Sequence, residues 1–307
     1  MKKHEPLIWL NKKILPSSEA KVSVLSPTAQ FGLNVFEGLR CYWNQKKESL
    51  FVFRLKDHLE RLMQSCRLMG FNHDFSIAET ESYLTEILKA NGYREDVSVR
   101  IMIFVDGDGS WYSRTPTSMF IAPIPKARSN IEKIKLSKCC VSSWQRINDN
   151  VLPPRAKVGA NYINSRWGLL QAKEAGYDFP IFLGVDGKVS ESSGSCLFIV
   201  RNNKIITPSL NSSILESITR DTLISIARDM EWDVEDRSVD RTELYLAEEA
   251  FLCGSAAEIS PIIEVDGHKL GDGKIGKRTK LLLKKYLEIV SSDDSTYRDW
   301  VFPVLIK

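Results

Sequence analysis

The chain has 307 residues, and its 42 basic and 39 acidic side chains leave a formal net charge of +3. Because these charges are spread along the whole chain, there is no concentrated basic face for a nucleic acid backbone or an anionic membrane. A chain of this length exceeds what one hydrophobic core usually serves, so two domains are predicted.

The cysteines and the N-terminus bear on compartment and metal binding. The cysteines lie inside apolar runs, with no CxxC pair and no zinc-like spacing, so no metal site is predicted. Reduced, buried thiols of this kind are expected in a cytoplasmic protein. The N-terminal segment "MKKHEPLIWLNKK" is basic, but its apolar run is too short for a signal peptide or a membrane span. A soluble protein is expected. The cysteines are Cys41, Cys66, Cys139, Cys140, Cys196 and Cys253.

The first half of the chain predicts strands around two helices. In "KDHLERLMQSCRLMGF" the apolar residues recur at helical spacing, and Gly70 suits the left-handed conformation of a helix end. In "SIAETESYLTEILKANGY", Ser76 and Glu79 have the spacing of a capping box, in which each side chain satisfies an exposed backbone donor. The segments "VSVRIMIFV" and "TSMFIAPIP" are rich in β-branched and aromatic residues and predict strands.

The second half alternates short strands with helices. Residues 1–124 are predicted to form a small N-terminal domain and residues 135–307 a larger C-terminal domain. Residues 125–134 are predicted to be the linker, because "PKARSNIE" interrupts both periodicities. Beyond it, strands such as "CLFIVRNNKIITP" alternate irregularly with helices such as "NYINSRWGLLQAKEAG" and "GKRTKLLLKKYLEIVSS". Strands grouped in hairpins rather than strict βαβ units predict an α+β or barrel-like domain.

Two segments of the second half carry residues that could do covalent or acid–base chemistry. Lys157 lies in "PRAKVGANYINS", where small neighbours allow another body to approach the backbone closely. A lysine becomes a nucleophile when burial or a neighbouring cation favours its neutral form, and this segment alone favours a solvated lysine. Glu191 ends a hairpin strand in "GKVSESSGSCLF", where it is either a turn residue or the partner of a cationic ring nitrogen.

Two further segments could bind an anion. In "LESITRDTLISIA" a helix begins at residues 217–219, whose backbone amides lack intrahelical acceptors, and the helix dipole favours an anion there. An ordinary Ser or Thr cap explains the same pattern equally well. In "CGSAAEISP", residues 254–257 form a second loop of small residues that offers amides and a hydroxyl.

Taken in order, these segments resemble the class IV, or fold-type IV, pyridoxal-phosphate aminotransferases, and within them the branched-chain amino acid aminotransferases. The resemblance covers nearly the whole chain, through "FGLNVFEGLRCY", "FRLKDHLERL", "RIMIFV", "AKVGANY", "VSESSGSCLF", "ILESITRD", "FLCGSAAEISP" and "DWVFPVL". It implies an α+β fold with a small α/β N-terminal domain and a larger pseudo-barrel C-terminal domain. The cofactor pyridoxal 5'-phosphate is expected in the cleft between them, and a homodimer is the expected minimal unit.

The resemblance also implies which residues hold the cofactor. Lys157 matches the lysine that forms a Schiff base with it, and Glu191 matches the acid that pairs with the pyridine nitrogen. Tyr162 matches the tyrosine beside the phenolic oxygen, and Leu215 matches the leucine that packs on the ring. The residues that match the phosphate site are Arg61, the amides of Ile218 and Thr219, and Ser255.

The string "VFEGLR" matches one wall of the substrate pocket. Phe36 is expected to face the substrate side chain, although core packing is the ordinary explanation for such a residue. Glu37 and Arg40 are expected to form a structural ion pair or to give hydrogen-bond support. Ser255 and Ala256 match residues that also touch the substrate.

Arg100 matches the arginine that receives the distal carboxylate of glutamate. Surface exposure is the alternative, because its neighbours Val99 and Ile101 face the other way along the strand. Phe31 and Ser98 stand where the family usually has tyrosines, which is expected to redirect donor selectivity toward bulky or polar-tipped L-amino acids.

Three departures lie near the cofactor residues. Ser217 replaces a usual glycine, Ser255 a usual threonine and Cys196 a usual asparagine. Ser255 keeps a hydroxyl, and Ser217 needs only its backbone amide. The cofactor site is therefore expected to be intact.

The sequence thus predicts a pyridoxal-phosphate-dependent aminotransferase with a ping-pong reaction. A branched-chain or other hydrophobic L-amino acid would give its amino group to 2-oxoglutarate, releasing a 2-oxo acid and L-glutamate. A specialised L-amino acid or D-amino acid aminotransferase, or an aminodeoxychorismate lyase, would share the cofactor residues, but "VFEGLR" and Arg100 favour the L-branched-chain group. A catalytically silent ligand-binding or scaffold protein is the alternative from another class.

Overall fold

The computed structural model describes residues 5–291 and 295–306, and the chain forms two compact units. Unit 1 contains the described residues of Met1–Arg128, Ala156–Ala160 and Ile289–Lys307, and unit 2 contains Ser129–Arg155 and Asn161–Glu288. The first four residues of the basic N-terminus and Ser292, at the end of the last predicted helix, lie outside the described residues. No helix of the described part is long and apolar enough to cross a membrane.

Unit 1 is built on one seven-stranded sheet with helices. The helices are α1 (Pro27–Phe31), α2 (Leu55–Met69) and α3 (Ile77–Asn91). The strands are β1 (Leu7–Leu10), β2 (Lys13–Pro16), β3 (Asn34–Asn44), β4 (Ser49–Phe53), β5 (Val97–Val105), β6 (Thr117–Pro125) and β16 (Val301–Leu305). Their order in the sheet is β16-β4-β3-β5-β6-β1-β2, and every neighbouring pair is antiparallel.

The two predicted helices of this unit are confirmed, and they cover one face of its sheet. Helix α2 ends at Gly70, whose φ of 65° is left-handed, and α3 begins with the capping box of Ser76 and Glu79. Leu59 and Leu62 of α2 are fully buried in one core with Leu39 and other aliphatic side chains of the strands. Burying each such side chain contributes about 1.5–3 kcal/mol, so this face fixes the position of α2 on the sheet.

Unit 2 is built on a nine-stranded sheet that mixes hairpins with parallel pairs. Its strands are β7 (Ser137–Gln145), β8 (Phe179–Leu183), β9 (Val189–Ser192), β10 (Cys196–Arg201), β11 (Lys204–Thr207), β12 (Val234–Asp236), β13 (Glu249–Gly254), β14 (Glu258–Val265) and β15 (His268–Lys269). The order is β12-β11-β10-β13-β14-β7-β8-β9, and β15 pairs with β14. The helices are α4 (Asn161–Glu174), α5 (Ile218–Asp229), α6 (Arg241–Tyr245) and α7 (Lys277–Ser291), of which the end from Ile289 belongs to unit 1. The predicted α+β class is confirmed.

Two segments belong to a different unit from the one predicted, which placed all of 135–307 in the C-terminal domain. Residues 156–160, with Lys157, lie in unit 1 because Val158 forms a β-bridge with Val35 at the start of β3. Residues 289–307 are assigned to unit 1, in which β16 completes the sheet beside β4. Both assignments depend on long-range strand pairing, which local sequence patterns do not carry.

Helix α4 packs through unusually small side chains. Asn161, Ser165, Gly168 and Ala172 are its buried residues, and their spacing places them along one helical face. This face packs on β7 and β8. A Cβ added at Gly168 would clash with the ring of fully buried Phe182, with its Cε1 only 2.6 Å away. The glycine therefore sets how closely α4 approaches the sheet.

Gly168→Ala is expected to destabilise the protein, although alanine is the better helix former. The gain in helix propensity is about 1 kcal/mol, whereas overpacking against a buried ring costs about 1–3 kcal/mol. Thermal unfolding followed by circular dichroism should show a lower midpoint for this variant. Arg166→Ala, at an exposed position of the same helix, is the control and should change the midpoint little. A Gly168→Ala midpoint at or above that of the wild type would contradict the packing described for α4.

Candidate active site

Strand β3 sends the side chains of "VFEGLR" alternately to the two faces of the unit 1 sheet. Val35 and Leu39 enter the core on the side of α2, and Glu37 reaches two residues of that helix. Phe36 and Arg40 stand at the even-numbered positions between and beyond these residues, so they project from the other face. The string thus serves two surfaces at once.

On the helix side, Glu37 forms a buried cluster with Arg61 and His58 of α2. Arg61 donates from Nε to Glu37 Oε1 at 2.7 Å and from Nη2 to Oε2 at 2.8 Å, which makes the pair bidentate. His58 Nδ1 lies 2.7 Å from the same Oε2. Arg61 Nη1 takes no part in the bidentate pair.

The cluster fixes the protonation of both titratable members. Burial alone would raise the pKa of Glu37, but the charge and hydrogen bonds of Arg61, together with His58, lower it far below its usual value. Burial lowers the pKa of His58 despite the opposing effect of Glu37, and the charges of Arg61 and Lys157 lower it further. Because the ionised Glu37 only accepts hydrogen bonds, the neutral His58 is assigned the tautomer that donates from Nδ1.

The predicted ion pair between Glu37 and Arg40 is wrong. Residues three apart on a strand lie on opposite faces of the sheet, so these two side chains diverge. Arg40 instead has its guanidinium carbon 5.3 Å from the ring centroid of Tyr42, which lies on its own face of β3. The predicted hydrogen-bond support by Glu37 is what the structure shows, with Arg61 and His58 as partners.

On the opposite face, two cations meet the ring of Phe36. The guanidinium carbon of Arg100 lies 4.2 Å from the ring centroid, and Lys157 Nζ lies 5.0 Å from it. Contacts at these distances are cation–π interactions, and they hold both cations beside one apolar surface.

Arg100 stands in an open stretch of this face. Its alternation with Val99 and Ile101 is as predicted, since both neighbours are fully buried and Arg100 is exposed. Gly38 and Ala122 are directly opposite it on the two adjacent strands. These are two of the smallest residues, so the strands leave room around the guanidinium.

The loop that carries Lys157 is tied to β3 through its backbone. Phe36 N donates to Lys157 O at 2.9 Å, and Lys157 N donates to Ser65 Oγ of α2 at 3.0 Å. Gly159 N donates to Asn34 O, and a Cβ at Gly159 would clash with the Asn34 side chain. The small residues were predicted to let another body approach the backbone closely, and that body is β3 itself.

In unit 2, Glu191 is buried at the end of β9 beside a guanidinium that sequence reasoning missed. Arg146 Nη2 donates to Glu191 Oε1 at 2.6 Å, and Leu215 N donates to the same oxygen at 3.3 Å. Cys196 Sγ lies 3.6 Å from the other oxygen, Oε2. Burial, with the Glu191 charge, raises the pKa of Cys196 well above its usual value, so it remains a neutral thiol and a weak donor.

The two small-residue loops come together in unit 2. Strands β10 and β13 are antiparallel neighbours with Cys196 opposite Cys253, so the turn before β10 lies beside the turn after β13. A Cβ at Gly254 would lie 3.4 Å from Gly194 O, and one at Gly194 would lie 3.7 Å from the ring of Tyr162. Ser255, which is partly exposed, and Ala256, which is exposed, follow in the second turn. The loops therefore bring Tyr162 near Gly194, and Ser255 follows Gly254, which lies beside Gly194.

Helix α5 begins with a side-chain cap that leaves two amides available. Ser217 Oγ accepts from Arg220 N at 3.2 Å, so the replacement of the usual glycine supplies an ordinary N-cap. Ile218 and Thr219 are buried, and within the described residues their backbone N–H groups have no hydrogen-bond partner. Buried, unpaired amides at a helix N-terminus are suited to an anion.

The remaining predicted residues are less closely grouped. Ser98 shares the face of Arg100 and lies between Arg40 and Ile124 of the neighbouring strands. Phe31 ends α1 with its side chain 44% exposed. Within the described residues no group of three metal-ligating side chains could hold a metal ion.

The chain is similar to known proteins over most of its length. The profile of the family described as amino-transferase class IV matches residues 34–265. The chain belongs to the class IV aminotransferase family.

Individual relatives agree over nearly the whole chain. The probable branched-chain-amino-acid aminotransferase of Aquifex aeolicus (strain VF5) is 38% identical and the match covers 96% of each chain. The branched-chain amino acid aminotransferase of Thermobaculum terrenum in its PLP form is 42% identical, with a TM-score of 0.93 and 99% of each chain covered. The branched-chain aminotransferase of Thermoproteus uzoniensis with norvaline is 39% identical, with a TM-score of 0.92 and coverage of 98% and 100%.

These relatives confirm the predicted family and fold type for this aminotransferase. Its fold is that of the fold-type IV branched-chain enzymes, with the α+β organisation described above. The sequence did not single out His58 or Arg146. It did single out Arg61, but it gave no sign that Arg61 pairs with Glu37. "FEG" and "HLER" carry no spacing that links them, because the contact joins a strand to a helix.

The Glu37 cluster predicts how stability depends on pH. Unfolded His58 binds a proton below about pH 6.5, while folded His58 stays neutral to lower pH, so the unfolded state binds more protons in that window. Stability therefore rises with pH through the window and is lost as pH falls. His58→Gln, which cannot titrate, should flatten the dependence by at most one proton, or about 1.4 kcal/mol per pH unit.

Urea denaturation between pH 5.5 and 7.5 measures the free energy of unfolding of the wild type and of His58→Gln. The stability that the ionised Glu37 contributes is lost only below this range, as the pH falls below the ordinary pKa of a glutamate. Superimposable pH profiles for the wild type and His58→Gln would show that His58 is not held neutral in the folded protein.

Proposed function

We propose that this enzyme transfers the amino group of leucine, isoleucine and valine to 2-oxoglutarate by a ping-pong reaction, with pyridoxal 5'-phosphate as cofactor. The observation that carries the proposal is the face of β3 and β5 where the Phe36 ring meets the Arg100 guanidinium and the Lys157 ammonium. The reaction needs an apolar wall for the donor, a cation for the acidic acceptor and an amine at the reacting carbon. This face supplies all three.

The described residues fit the phosphate of the proposed cofactor. Arg61 is buried, and Glu37 holds its guanidinium in place through a bidentate pair. The N–H groups of Ile218 and Thr219 are buried donors at the positive end of the α5 dipole. A buried guanidinium in unit 1 and two buried amides in unit 2 are each groups that bind phosphate.

Glu191 fits the ring nitrogen. A carboxylate has about four lone-pair sites, and Arg146 and Leu215 use those of Oε1 while only a weak thiol donor faces Oε2. The buried carboxylate can thus accept one more strong hydrogen bond, such as that of a cationic ring N–H. Pyridoxal phosphate, when bound, supplies a carbonyl that condenses with amines and a cationic ring that accepts electrons.

The chain's own residues then have defined tasks. Lys157 Nζ would hold the cofactor at rest. Once the donor amine has displaced it, the free Nζ would take the proton from the Cα of the donor and pass it to the cofactor. Glu191 would keep the ring nitrogen protonated. Phe36 would contact the donor side chain, and Arg100 would bind the distal carboxylate of 2-oxoglutarate and glutamate.

The choice of donor follows the relatives. They are named branched-chain aminotransferases, and one of them was solved with norvaline, an apolar amino acid of similar size. D-amino acid transfer, a specialised donor and the lyase reaction are not favoured by these names. The effect of Phe31 and Ser98 on selectivity stays a prediction.

We also propose a homodimer in a reducing cytoplasm. All six cysteines are free and buried, which suits a reducing compartment. Trp144 of β7 and Trp167 of α4 stack on each other with about half of each residue exposed. Ile163, also on α4, is more exposed still. An exposed apolar group of this kind supports contact with a second chain.

Lys157→Ala is expected to abolish transamination, because no amine remains to hold the cofactor carbonyl or to move the Cα proton. Borohydride reduction of the loaded wild type should fix the cofactor to Lys157. Trypsin would then fail to cut there and release residues 156–166 as one modified peptide. Lys157→Arg keeps the charge but should be equally inactive. Modification of another lysine would refute the assignment.

Arg100→Met is expected to separate the two substrates. Loss of a charged hydrogen bond of about 1.5–3 kcal/mol should raise KM for 2-oxoglutarate about 10- to 150-fold, while KM for leucine changes little. Phe36→Leu removes the ring that supports Arg100 and should shift KM for both substrates. The control Arg94→Met, at an exposed arginine of unit 1, should leave both constants unchanged. An equal rise of both constants in Arg100→Met would rule out its role with the acidic substrate.

A further inference from the structure

Glu191 and Arg146 form a deeply buried ion pair, of which the proposed function gives a task only to Glu191. The side chains are 4% and 7% exposed, and Nη2 lies 2.6 Å from Oε1. Two charges are kept in such a place only if each satisfies the other and further hydrogen bonds complete the set. A pair of this kind is a costly feature unless one member has a task.

Arg146 is itself held from two sides. Its backbone N–H donates to Leu183 O at 2.9 Å, which fixes the residue just after β7 beside β8. Its Nη1 donates to Ser165 Oγ of α4 at 3.2 Å. Ser165 is one of the buried small residues through which α4 packs on the sheet. The guanidinium is therefore fixed in position by unit 2 before it meets Glu191.

The two carboxylate oxygens of Glu191 are unequally occupied. Oε1 accepts the charged N–H of Arg146 and the amide of Leu215. Oε2 faces Cys196 Sγ at 3.6 Å, and that thiol also lies 3.8 Å from Leu215 O. A thiol is a weak donor, and here two acceptors share it. Oε2 is thus the oxygen with unused accepting capacity.

We propose that Arg146 is a positioning residue: it binds Oε1 of Glu191 so that Oε2 is presented to the ring nitrogen of the cofactor. The inference rests on the proposed function, since it assigns the pyridine nitrogen as the partner of Oε2. Arg146 acts through Glu191 and touches neither substrate nor cofactor. The replacement of the family's usual asparagine by Cys196 fits this arrangement, because an amide would compete more strongly for Oε2 than a thiol does.

Removing the guanidinium has a defined chemical consequence. Without the guanidinium, Oε1 loses its charged donor and Oε2 is no longer held where it can accept a hydrogen bond from the ring N–H. A ring nitrogen that has lost this anionic acceptor is expected to be neutral. A neutral ring accepts electrons poorly, so kcat would fall while the apolar contacts that set KM remain.

The test uses the full-length protein loaded with pyridoxal phosphate that carries ¹⁵N in the ring. Arg146→Met removes the charge and Arg146→Lys keeps it. Arg237→Met is the matched control, because Arg237 also pairs with carboxylates in unit 2 but is partly exposed. The ¹⁵N chemical shift reports whether the ring nitrogen is protonated, and the dissociation constant of the cofactor, kcat and KM for leucine are measured beside it.

The wild type, Arg237→Met and Arg146→Lys should show a cationic ring nitrogen, and Arg146→Met a neutral one. In Arg146→Met, kcat should fall about 10- to 100-fold, the range seen when a supporting residue is lost, with KM for leucine within about threefold. Arg146→Lys should recover part of the loss. A cationic ring nitrogen with near-native kcat in Arg146→Met would overturn the proposal, as would a neutral nitrogen in Arg146→Lys.

Folding is checked by circular dichroism. If Arg146→Met does not fold, Arg146→Lys and Ser165→Ala, which frees Nη1, take its place. Both should lower kcat severalfold without changing KM for leucine, and native kcat in both would overturn the proposal. A wild type that neither binds pyridoxal phosphate nor transaminates would refute the proposed function and this inference together. A transaminating wild type with an unaffected Arg146→Met would refute only the inference.

Discussion

The alternation of side chains along β3 is the constraint on which the unit 1 site depends. A strand has two faces, and consecutive residues cannot share one. Phe36 therefore reaches Arg100 and Lys157 while Glu37, its neighbour, reaches Arg61 and His58 on the helix side. Through one strand the fold positions a surface suited to substrates and, on the other side, the guanidinium of an arginine suited to phosphate.

Buried charge is handled in the same way in both units. Glu37 is paired with Arg61, and Glu191 is paired with Arg146, each at 2.6–2.8 Å. In each pair one member is assigned by the family pattern to the cofactor and the other is assigned to nothing. The physical reason for the second member is that an isolated buried charge would neutralise itself. A cofactor-binding side chain that was uncharged, or that was not held by a paired residue, would not give the cofactor a fixed partner.

The sequence predicted the local elements well because local physics determines them. The capping box of Ser76 and Glu79 and the helix end at Gly70 need only a few neighbouring residues. The domain assignment of Lys157 could not be predicted in that way, since it depends on the bridge between Val35 and Val158, far apart in the chain. Arg146 escaped notice for the same reason: nothing in "SSWQR" indicates that its side chain meets Glu191.

The measurement that tests the central claim most directly is a single half-reaction. The loaded protein is mixed with excess L-leucine in the absence of any 2-oxo acid, and the released 2-oxo acid is quantified by mass spectrometry. A ping-pong aminotransferase releases one equivalent of 2-oxo acid per bound cofactor and then stops; once the leucine is removed and 2-oxoglutarate is added, one equivalent of glutamate appears. No release before the addition of 2-oxoglutarate, or release that continues without it, would contradict the account.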